Sequence, residues 1–445
     1  MLTKLFFICY NFLWLLATPF LKRHKRMKIG FEDRLIQGNW QTLPQKRPID
    51  IWIQASSGGE AYLSLELLSC LEEKHSSLHI LCTSMTKQGI DILTQGREDF
   101  FHAWKLKYKK QAPHIHICYF PLDSEKIMHK AFSLTTPKIC ILLETELWPN
   151  FMKMCKEFQT KLYIVNGRIT EKTYNSYKKI QTILAEINPQ AIYATKEKDK
   201  ELYADLFPQA TCQFMYNMKF DTTYKELCIA MQASTNNEQK DFPQVAKSTC
   251  VFLFASIRKE EENILFPFLL TLHKQKTKSI IILAPRHVAR FEAWQEKFNK
   301  ENIPLINRSR CDNNHTFQAG EIILWDKFGE LKKLYALADY AFIGGSLVPL
   351  GGQNFLEALV YGVIPHTGIY LDNFLWTFET QEQKNLAELN LLALHNSINS
   401  LETTFLSLPE RKFTEKAKIQ ATFKAWLKTY IDDTKKIMHD ILENS

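Results

Sequence analysis

The sequence predicts an α/β protein of two domains, each built around a parallel sheet. Its 445 residues are enough for two large domains, because a domain usually takes ~100–200 residues. Apolar, β-branched runs typical of buried parallel strands alternate with helical stretches, first in one half of the chain and then in the other. Hydrophobic residues make up 45% and charged residues 23%, a composition that excludes a disordered chain and a protein with many membrane spans.

The predicted elements fall into two series. The first series of strands is predicted at Ile49–Ser56, His79–Thr86, His114–Pro121, Lys138–Glu144, Lys161–Asn166 and Ala191–Thr195. The second is predicted at Thr249–Ser256, Ser279–Pro285, Glu321–Asp326, Tyr340–Gly345 and Val363–Thr367. Helices are predicted between them, notably at Ala61–Lys74, Gly329–Ala338 and Asn354–Tyr361. The alternation predicts two Rossmann-like domains that face each other across a cleft.

The predicted domain boundary lies in a polar stretch. Residues Met218–Val245 lack the strand and helix pattern, and we interpret them as the connection between the domains. We therefore expect 29–221 to form the first domain and 222–445 the second. Apolar residues recur at helical spacing near the end of the chain, which predicts that the second domain ends in a helix. These residues are Trp426, Tyr430, Ile437 and Ile441.

The amino-terminal residues 1–28 are predicted to be a membrane anchor. Residues 5–21 carry no charge, and a spanning helix needs ~20 apolar residues, with ~17 as the lower limit. A short signal anchor, a helix in the membrane interface and a core helix all fit this length. A cleaved signal peptide is disfavoured because no small-x-small cleavage site follows. Five basic residues come next, namely Lys22, Arg23, Lys25, Arg26 and Lys28. They favour contact with anionic lipid on the cytoplasmic face of a membrane, although a solvated linker can carry such a run as well.

The first candidate site follows the first strand, at Ser56, Ser57, Gly58 and Glu60. Ligands of open α/β sheets bind at the carboxyl ends of the strands, and glycines there let the backbone approach a ligand. A carboxylate at this place can accept a proton from a hydroxyl group. It fits equally well as a negative charge at the amino end of a helix.

Carboxylates also follow the fourth strand. Glu144 and Glu146 are two residues apart and precede Trp148 and Pro149. They can act as acid and base or bind substrate hydroxyl groups, and one of them can equally cap the helix that begins near Pro149. No Cys/His/Asp cluster joins the alternating His114 and His116, so we expect no metal site.

The second half carries a Gly-rich frame after one of its strands. Gly344, Gly345 and Ser346 come first, and Asn354 opens the helix that carries Glu357. The frame suits a nucleotide phosphate and sugar, although tight turns also use glycine. It contains neither a P-loop nor a G-x-G-x-x-G motif. Arg286 follows another strand, where its guanidinium can bind a phosphate or remain a surface charge.

Taken together, these segments resemble a known family. The ordered motifs are Ala55–Glu60, Tyr119–Asp123, Glu144–Asn150, Val165–Arg168, Lys219–Asp221, Pro285–His287, Gly329–Leu331, Tyr335–Asp339, Gly344–Pro349 and Gly351–Asn354. In this order they are similar to the 3-deoxy-D-manno-octulosonic acid (Kdo) transferases of lipopolysaccharide synthesis. The match runs from about residue 30 to about residue 375.

The resemblance implies an inverting glycosyltransferase of the GT-B type that moves Kdo from CMP-Kdo to a lipid A precursor, lipid IVA. It implies Glu60 as the general base, without a cofactor or a metal held by the protein. The first domain would bind the acceptor through Ser56, Ser57, Gly58, Glu146 and Arg168. The second would bind the donor through Arg286, Gly344, Gly345, Ser346, Asn354 and Glu357. The expected partners are the donor, the acceptor and anionic inner-membrane lipids, and no nucleic acid.

The chain departs from the family pattern at Gln54, Gly59, Ile257, Arg258 and Gln353, and at Tyr216-Asn217. These positions concern donor contacts and loops more than the type of reaction. Two other functions remain open from the sequence. One is a glycosyltransferase that uses another nucleotide sugar and lipid-linked acceptor. The other is a non-catalytic, membrane-anchored binder of a sugar nucleotide.

Overall fold

The structure is a computed structural model that describes residues 2–25, 27–44, 47–233, 242–246, 248–374, 385–412 and 414–443. It divides into two compact units. Unit 1 contains Met1–Asp221 and Tyr430–Ser445, and unit 2 contains Thr222–Thr429. Each unit has a seven-stranded sheet whose neighbouring strands are parallel, so the predicted α/β fold class is confirmed.

Unit 1 begins with helices α1 (Leu2–Arg23) and α2 (Phe31–Arg34) and then alternates strand and helix. Its strands are β1 (Ile51–Ala55), β2 (His79–Ser84), β3 (His114–Tyr119), β4 (Ile139–Leu143), β5 (Lys161–Gly167), β6 (Ala191–Ala194) and β7 (Thr211–Phe214). The helices that follow are α3 (Gly58–Ser69), α4 (Lys87–Tyr108), α5 (Glu125–Thr135), α6 (Pro149–Glu157), α7 (Glu171–Lys178), α8 (Gln181–Glu186) and α9 (Glu197–Leu206). Helix α10 (Lys219–Ala233) begins in unit 1 and continues into unit 2. The sheet order is β3-β2-β1-β4-β5-β6-β7.

The central strands of unit 1 are buried on both faces, which is why their sequences are continuous apolar runs. Every residue of β1 and β4 is buried. Trp52 and Cys140 point into the core on one side of the sheet, and Ile53 and Ile141 point into the core on the other side. Each strand is therefore held from both faces, and the turn that follows it starts from a fixed position.

Unit 2 repeats this plan. Its strands are β8 (Gln244–Val245), β9 (Cys250–Ile257), β10 (Ser279–Pro285), β11 (Leu305–Asn307), β12 (Thr316–Phe317), β13 (Ile322–Leu324), β14 (Tyr340–Ile343), β15 (Pro365–Gly368) and β16 (Ala393–His395). Its helices are α11 (Glu262–Gln275), α12 (Phe291–Lys300), α13 (Leu331–Leu337), α14 (Leu356–Val360), α15 (Ile398–Ser407) and α16 (Lys416–Leu427). The main sheet runs β11-β13-β10-β9-β14-β15-β16, and β8 pairs with β12.

Both sheets have a point at which the strand order reverses. In unit 1 it lies between β1 and β4, and in unit 2 between β9 and β14. Ligands of doubly wound sheets bind at this point, beyond the carboxyl ends of the two strands. The fold therefore directs attention to the turns after these four strands.

The strands predicted from the sequence are all present, but several short ones were missed. β7 has the polar sequence TCQF and is largely exposed. β11 and β16 have three residues each and form the edges of the second sheet. Short edge strands lack the apolar run that marks a buried strand. The predicted connection Met218–Val245 contains all of α10 and the short strand β8, and its centre, 234–241, lies outside the described residues.

The end of the chain differs from the predicted domain division. Residues 430–445 were predicted to belong to the second domain, whereas they are part of unit 1. The chain turns at Asp432, whose φ is 78°, and helix α17 (Asp433–Glu443) follows. Ile437 and Ile441 of α17 lie in the core of unit 1. Asp221 accepts hydrogen bonds from the Asp432 N–H and the Thr434 hydroxyl, which fix this return of the chain.

Helix α1 contains the predicted anchor, residues 5–21, and is long and apolar enough to cross a membrane by length and composition. It is not a core helix, because one side of it is exposed. We call this side the apolar face; its large hydrophobic residues, each more than half exposed, are Leu5, Ile8, Phe12, Leu13, Leu15, Leu16 and Phe20. The other side, which includes the buried Phe7, packs on the core of unit 1.

Candidate active site

Two predicted site segments lie side by side at the carboxyl edge of the first sheet. β1 and β4 are neighbouring parallel strands, so the turns after them meet where the strand order reverses. The first turn, 56–60, carries Glu60, and the second, 144–148, carries Glu144 and Glu146. β5 lies next to β4 and is followed by Arg168. The fold thus collects residues that the sequence shows only as separate motifs.

Glu60 is held in place by the turn that carries it. It is the third residue of α3, and Ser57 caps this helix by accepting a hydrogen bond from the Glu60 N–H at 3.3 Å. The carboxylate turns back over the same turn. Its Oε2 accepts a hydrogen bond from the Ser56 N–H at 2.6 Å, and its Oε1 accepts one from the Ser57 hydroxyl at 3.1 Å. The pattern differs from a capping box in one respect: the carboxylate accepts from the N–H of Ser56, the residue before the cap, and not from that of Ser57.

The surroundings of Glu60 change its chemistry. Its side chain is only 6% exposed. Burial raises the pKa of Glu60 to about 7, and the negative charges of Glu144 and Glu146 act in the same direction, while the bonds from Ser56 and Ser57 oppose it. A pKa near neutral pH suits a group that must accept a proton during a reaction. A carboxylate that served only as a helix charge would not need this burial.

Glu144 lies among cations. Its carboxylate is 3.7 Å from the Arg168 guanidinium and 3.6 Å from the Lys219 ammonium. Burial lowers the pKa of Lys219, against the opposing effect of Glu144. The Asn166 amide also reaches Glu144, at 3.5 Å. A polar ligand at this edge of the sheet would therefore meet both carboxylates and cations.

Lys219 was not among the predicted site residues. It stands at the start of α10, after the weak edge strand β7, and no local pattern in the sequence links it to Glu144. The available signal was the motif Lys219–Asp221, which forms part of the family resemblance but carries no role for Lys219.

The other predicted acceptor residues lie at the same edge. Ser56 is buried, Glu146 is exposed, and Gly58 begins α3. A Cβ at Gly58 would lie 2.9 Å from the side-chain carbon of the Gln88 amide, so only glycine fits here without a shift. Helix α6 is capped by Asp123, which accepts from the N–H groups of Asn150 and Phe151. The alternative role of Glu144 or Glu146 as the cap of this helix is therefore wrong.

In unit 2 the Gly-rich frame follows β14 and meets the end of β9. A Cβ at Gly344 would lie 2.6 Å from the carbonyl oxygen of Ser256, which explains the glycine. The N–H groups of Gly345 and Ser346 were expected to bind a donor phosphate. Instead they donate to the carboxylate of Glu261, at 2.5 and 2.9 Å.

Glu261 is fully buried and also accepts hydrogen bonds from the N–H groups of Leu347 and Arg258. The Ser346 hydroxyl is also occupied, since it donates to the Ile343 carbonyl and accepts from the Gly368 N–H. The carboxylate of Glu261 therefore already occupies the N–H groups of the Gly-rich frame that were expected to bind a phosphate. Glu261 was not among the predicted site residues, although this residue follows β9 at the point where the strand order reverses.

The remaining predicted donor residues differ in exposure and in hydrogen bonding. Arg286 follows β10 and is exposed. Asn354 donates to Glu357 at 3.0 Å, and it precedes α14 instead of lying within it as predicted. Burial raises the pKa of Glu357, and the positive charges of Lys332 and Arg286 oppose the shift. Arg286 and Glu357 thus influence the same region of unit 2.

The described residues contain no group of three or more His, Cys, Asp or Glu side chains that could hold a metal ion. His114 and His116 do lie on one face of β3, where both stack on the ring of His79, with centroids 4.4 and 5.8 Å apart.

Comparison with known proteins gives a family match in unit 1. Residues 25–222 match the family described as 3-deoxy-D-manno-octulosonic-acid transferase (kdotransferase). A bifunctional glycosyltransferase/methyltransferase of Fusobacterium nucleatum is 30% identical over 363 residues, which cover 80% of this chain and 52% of that protein. A 3-deoxy-D-manno-octulosonic acid transferase of Haemophilus influenzae is 28% identical over 376 residues, which cover 82% of this chain and 80% of that protein. The chain thus spans about half the length of the first relative.

A solved glycosyltransferase from Rickettsia africae has a similar fold, with a TM-score of 0.51 and 12% identity, and the match covers 90% of this chain and all of that one. These matches confirm the predicted resemblance to the Kdo transferases and the predicted enzyme class, a glycosyltransferase. The likeness to the solved structure concerns the fold alone.

Proposed function

We propose that this protein is an inverting glycosyltransferase that moves Kdo from CMP-Kdo to a lipid A precursor, lipid IVA. The observation that carries the proposal is the state of Glu60. This buried carboxylate, with a pKa of about 7, lies at the reversal point of unit 1 beside Glu144 and Glu146. It also falls within the region that resembles the Kdo transferases.

In the proposed reaction, Glu60 takes the proton of the acceptor hydroxyl as the oxygen attacks the anomeric carbon of Kdo. The bond from that carbon to the phosphate oxygen breaks at the same time, and CMP leaves with the electron pair. Attack from the face opposite the leaving group inverts the anomeric configuration. The hydrogen bonds from Ser56 and Ser57 keep the carboxylate in one orientation, so the proton acceptor needs no rearrangement before reaction.

The proposed acceptor carries negative charge, and unit 1 supplies matching cations. Arg168 and Lys219 lie 3.7 and 3.6 Å from Glu144 and place positive charge at the edge where an anionic group of the acceptor would bind. Ser56, Ser57, Gly58 and Glu146 complete the proposed acceptor side. Hydroxyl groups of the sugar would bind to the carboxylates.

We assign the donor to unit 2. Because the amides of Gly345 and Ser346 are bound to Glu261, the exposed Arg286 is the group that can neutralise the leaving phosphate. Asn354 and Glu357 form a hydrogen-bonded pair whose polar atoms suit a ribose or a cytosine edge. Gly344 shapes the frame against the end of β9.

The proposed location is the cytoplasmic face of the inner membrane. The apolar face of α1 is suited to lipid chains, and the basic residues that follow it are suited to anionic headgroups. Among these residues Lys22, Arg23, Lys25 and Lys28 are described, whereas Arg26 lies outside the described residues. An acceptor lipid would be presented to the enzyme in the same leaflet.

The test is turnover of CMP-Kdo by the full chain in detergent. We expect release of CMP that depends on lipid IVA, with a glycolipid product of opposite anomeric configuration by NMR. Release of nucleotide only from another sugar donor would instead indicate a different glycosyltransferase. Binding of CMP-Kdo without any turnover would indicate a non-catalytic binder. Either result would overturn the proposal.

A further inference from the structure

Helix α1 is attached to unit 1 by polar side chains. The Tyr10 hydroxyl donates a hydrogen bond to Asp123 Oδ2 at 2.9 Å. The Asn11 amide donates to Glu125 Oε2 at 2.7 Å and its Oδ1 accepts from the Glu125 N–H at 2.8 Å. Asn11 Oδ1 also accepts from the amide of Asn150 at 2.9 Å. A helix that only inserts into lipid has no need of such bonds.

The partners of Tyr10 and Asn11 hold the amino end of α6. Asp123 is fully buried and accepts from the N–H groups of Asn150 and Phe151, at 3.1 and 2.8 Å. The Asn150 amide donates to the Asp123 carbonyl as well as to Asn11. Tyr10, Asn11, Asp123 and Asn150 therefore form one hydrogen-bonded network that joins α1 to the first turn of α6.

The segment between β4 and α6 carries Glu146, one of the proposed acceptor residues, and Glu144, which raises the pKa of Glu60. Glu144 follows β4 directly, and Trp148 is the residue immediately before α6. Trp148 packs on Phe120, with ring centroids 5.2 Å apart. One end of this segment, 144–148, is thus fixed by the sheet, and the other end is fixed by the α6 terminus to which α1 is bound.

The geometry also distinguishes between two arrangements of α1 in a membrane. The polar residues Tyr10 and Asn11 face unit 1, and the apolar face points away from it. A spanning arrangement would remove Tyr10 and Asn11 from their partners and place their polar groups in hydrocarbon, which is unfavourable because no water is present there to form hydrogen bonds. Lying parallel to the membrane keeps the bonds and gives the apolar face to one leaflet.

We propose that Tyr10 and Asn11 are positioning residues of the acceptor site. Helix α1 lies parallel to the membrane surface in one leaflet, and through Asp123 and Asn150 it holds the segment 144–148 in a fixed position relative to the lipid. Membrane binding and acceptor-site geometry are then two functions of the opposite faces of one helix. This inference rests on the proposed function only for the identity of the acceptor.

Hydrogen–deuterium exchange of the full chain in detergent tests the network without reference to activity. Asn11→Ala removes the bond to Asn150 together with the two bonds to Glu125. We expect it to increase exchange of the amides of 144–148, 150 and 151 about tenfold, which corresponds to the usual upper contribution of the one bond that reaches α6. The matched control is Leu16→Ser on the apolar face, which should leave these amides unchanged. Unchanged exchange in Asn11→Ala, or equal increases in both variants, would overturn the inference.

A second measurement separates positioning from anchoring. Leu16→Ser should weaken flotation with vesicles of phosphatidylethanolamine and phosphatidylglycerol, and leave KM for acceptor in detergent unchanged. Asn11→Ala should still float and bind CMP normally, but its KM for the acceptor should rise about tenfold even in detergent. The Asn11→Ala and Asn150→Ala effects should be non-additive, because they remove the same bond. A normal KM for the acceptor in Asn11→Ala would show that α1 only anchors the protein, and would overturn the inference. Absence of turnover in the unmodified protein would instead contradict the proposed function.

Discussion

The carboxylate of Glu60 accepts a hydrogen bond from the backbone N–H of Ser56, four residues earlier, at 2.6 Å. This bond returns the side chain over the turn between β1 and α3. It offsets part of the cost of burying a charge, yet the pKa of Glu60 still rises to about 7 because burial and the neighbouring carboxylates outweigh it. The turn thus holds a proton acceptor in a defined position. Because its pKa is about 7, the carboxyl group can gain or lose its proton near neutral pH.

The first prediction concerns Glu60 as the base. Glu60→Gln retains the size of the side chain and one of its two acceptor oxygens but cannot take a proton, so turnover should fall by about 10²–10⁴-fold. CMP binding by calorimetry should stay unchanged. Glu66→Gln is the matched control, because Glu66 is equally buried on the same helix. Comparable loss of turnover in both variants would assign the effect to the fold of α3 and not to catalysis.

The second prediction concerns pH. If Glu60 must be ionised, kcat/KM should rise with pH through a midpoint near 7. Glu144→Gln removes a negative charge that raises the pKa of Glu60, so this midpoint should move to lower pH. Glu157→Gln, on the same unit but not among the groups that shift Glu60, should leave it in place. A midpoint that stays fixed, or moves upward, in Glu144→Gln would contradict the assignment.

The third prediction concerns stability. The pKa of Glu60 is about 7 in the folded chain against 4.5 for an unperturbed group. Between pH 4.5 and pH 7 the folded state binds more protons than the unfolded state, so the free energy of unfolding decreases as pH rises. The full loss of stability caused by this group is reached above pH 7. Glu60→Gln should therefore raise the Tm, by more at pH 8.5 than at pH 5. The upper limit is about 3 kcal/mol, from the size of the shift. An equal change in Tm at both pH values would show that the charge of Glu60 does not destabilise the folded state.

The fourth prediction concerns the donor. Arg286→Ala should weaken CMP binding by about tenfold or more, because a charge-assisted hydrogen bond contributes ~1.5–3 kcal/mol. Arg286→Lys should recover only part of the affinity, since lysine lacks the planar fork. Arg310→Ala removes an exposed cation elsewhere in unit 2 and should have no effect. Calorimetric titration with CMP distinguishes these outcomes, and equal affinity in all variants would exclude Arg286 from the donor site.

The sequence predicts best what depends on short stretches of chain. The runs before Ser56 and Glu144 are apolar apart from Gln54, because β1 and β4 are buried on both faces. The turns after such strands can therefore be located without a structure. The order of the motifs along the chain supplied the family resemblance in the same way.

The sequence does not predict contacts that join distant segments. Lys219 reaches Glu144 only because β7 and β4 belong to one sheet, and the polar sequence of β7 hides this strand. The same holds for Asp123 at the amino end of α6, which belongs to a different motif. The return of α17 to unit 1 depends on Asp221, far away in the chain.

Glu261 is the clearest case of a residue that changes an interpretation. From the sequence, the free N–H groups of a Gly-rich turn suit a phosphate. In the structure three consecutive N–H groups, those of Gly345, Ser346 and Leu347, already share one buried carboxylate. A carboxylate and a phosphate oxygen make the same kind of bond, so the local pattern does not tell which of them is present.

The last prediction follows from this arrangement. Glu261→Ala removes the acceptor of four N–H groups, those of Gly345, Ser346, Leu347 and Arg258. Each unpaired buried group costs about 1–3 kcal/mol, so the Tm of the unit 2 transition should fall. Because the vacated position suits an oxyanion, inorganic phosphate should restore part of the lost Tm. Glu262→Ala is the matched control: Glu262 is also buried, but its partner is the side chain of Arg290, at 2.6 Å. It should lower the Tm without any specific gain from phosphate. Calorimetry of both variants, with sodium chloride at equal ionic strength as reference, measures this difference. Equal responses of the two variants to phosphate would show that the turn around Gly345 has no affinity for an oxyanion once Glu261 is absent.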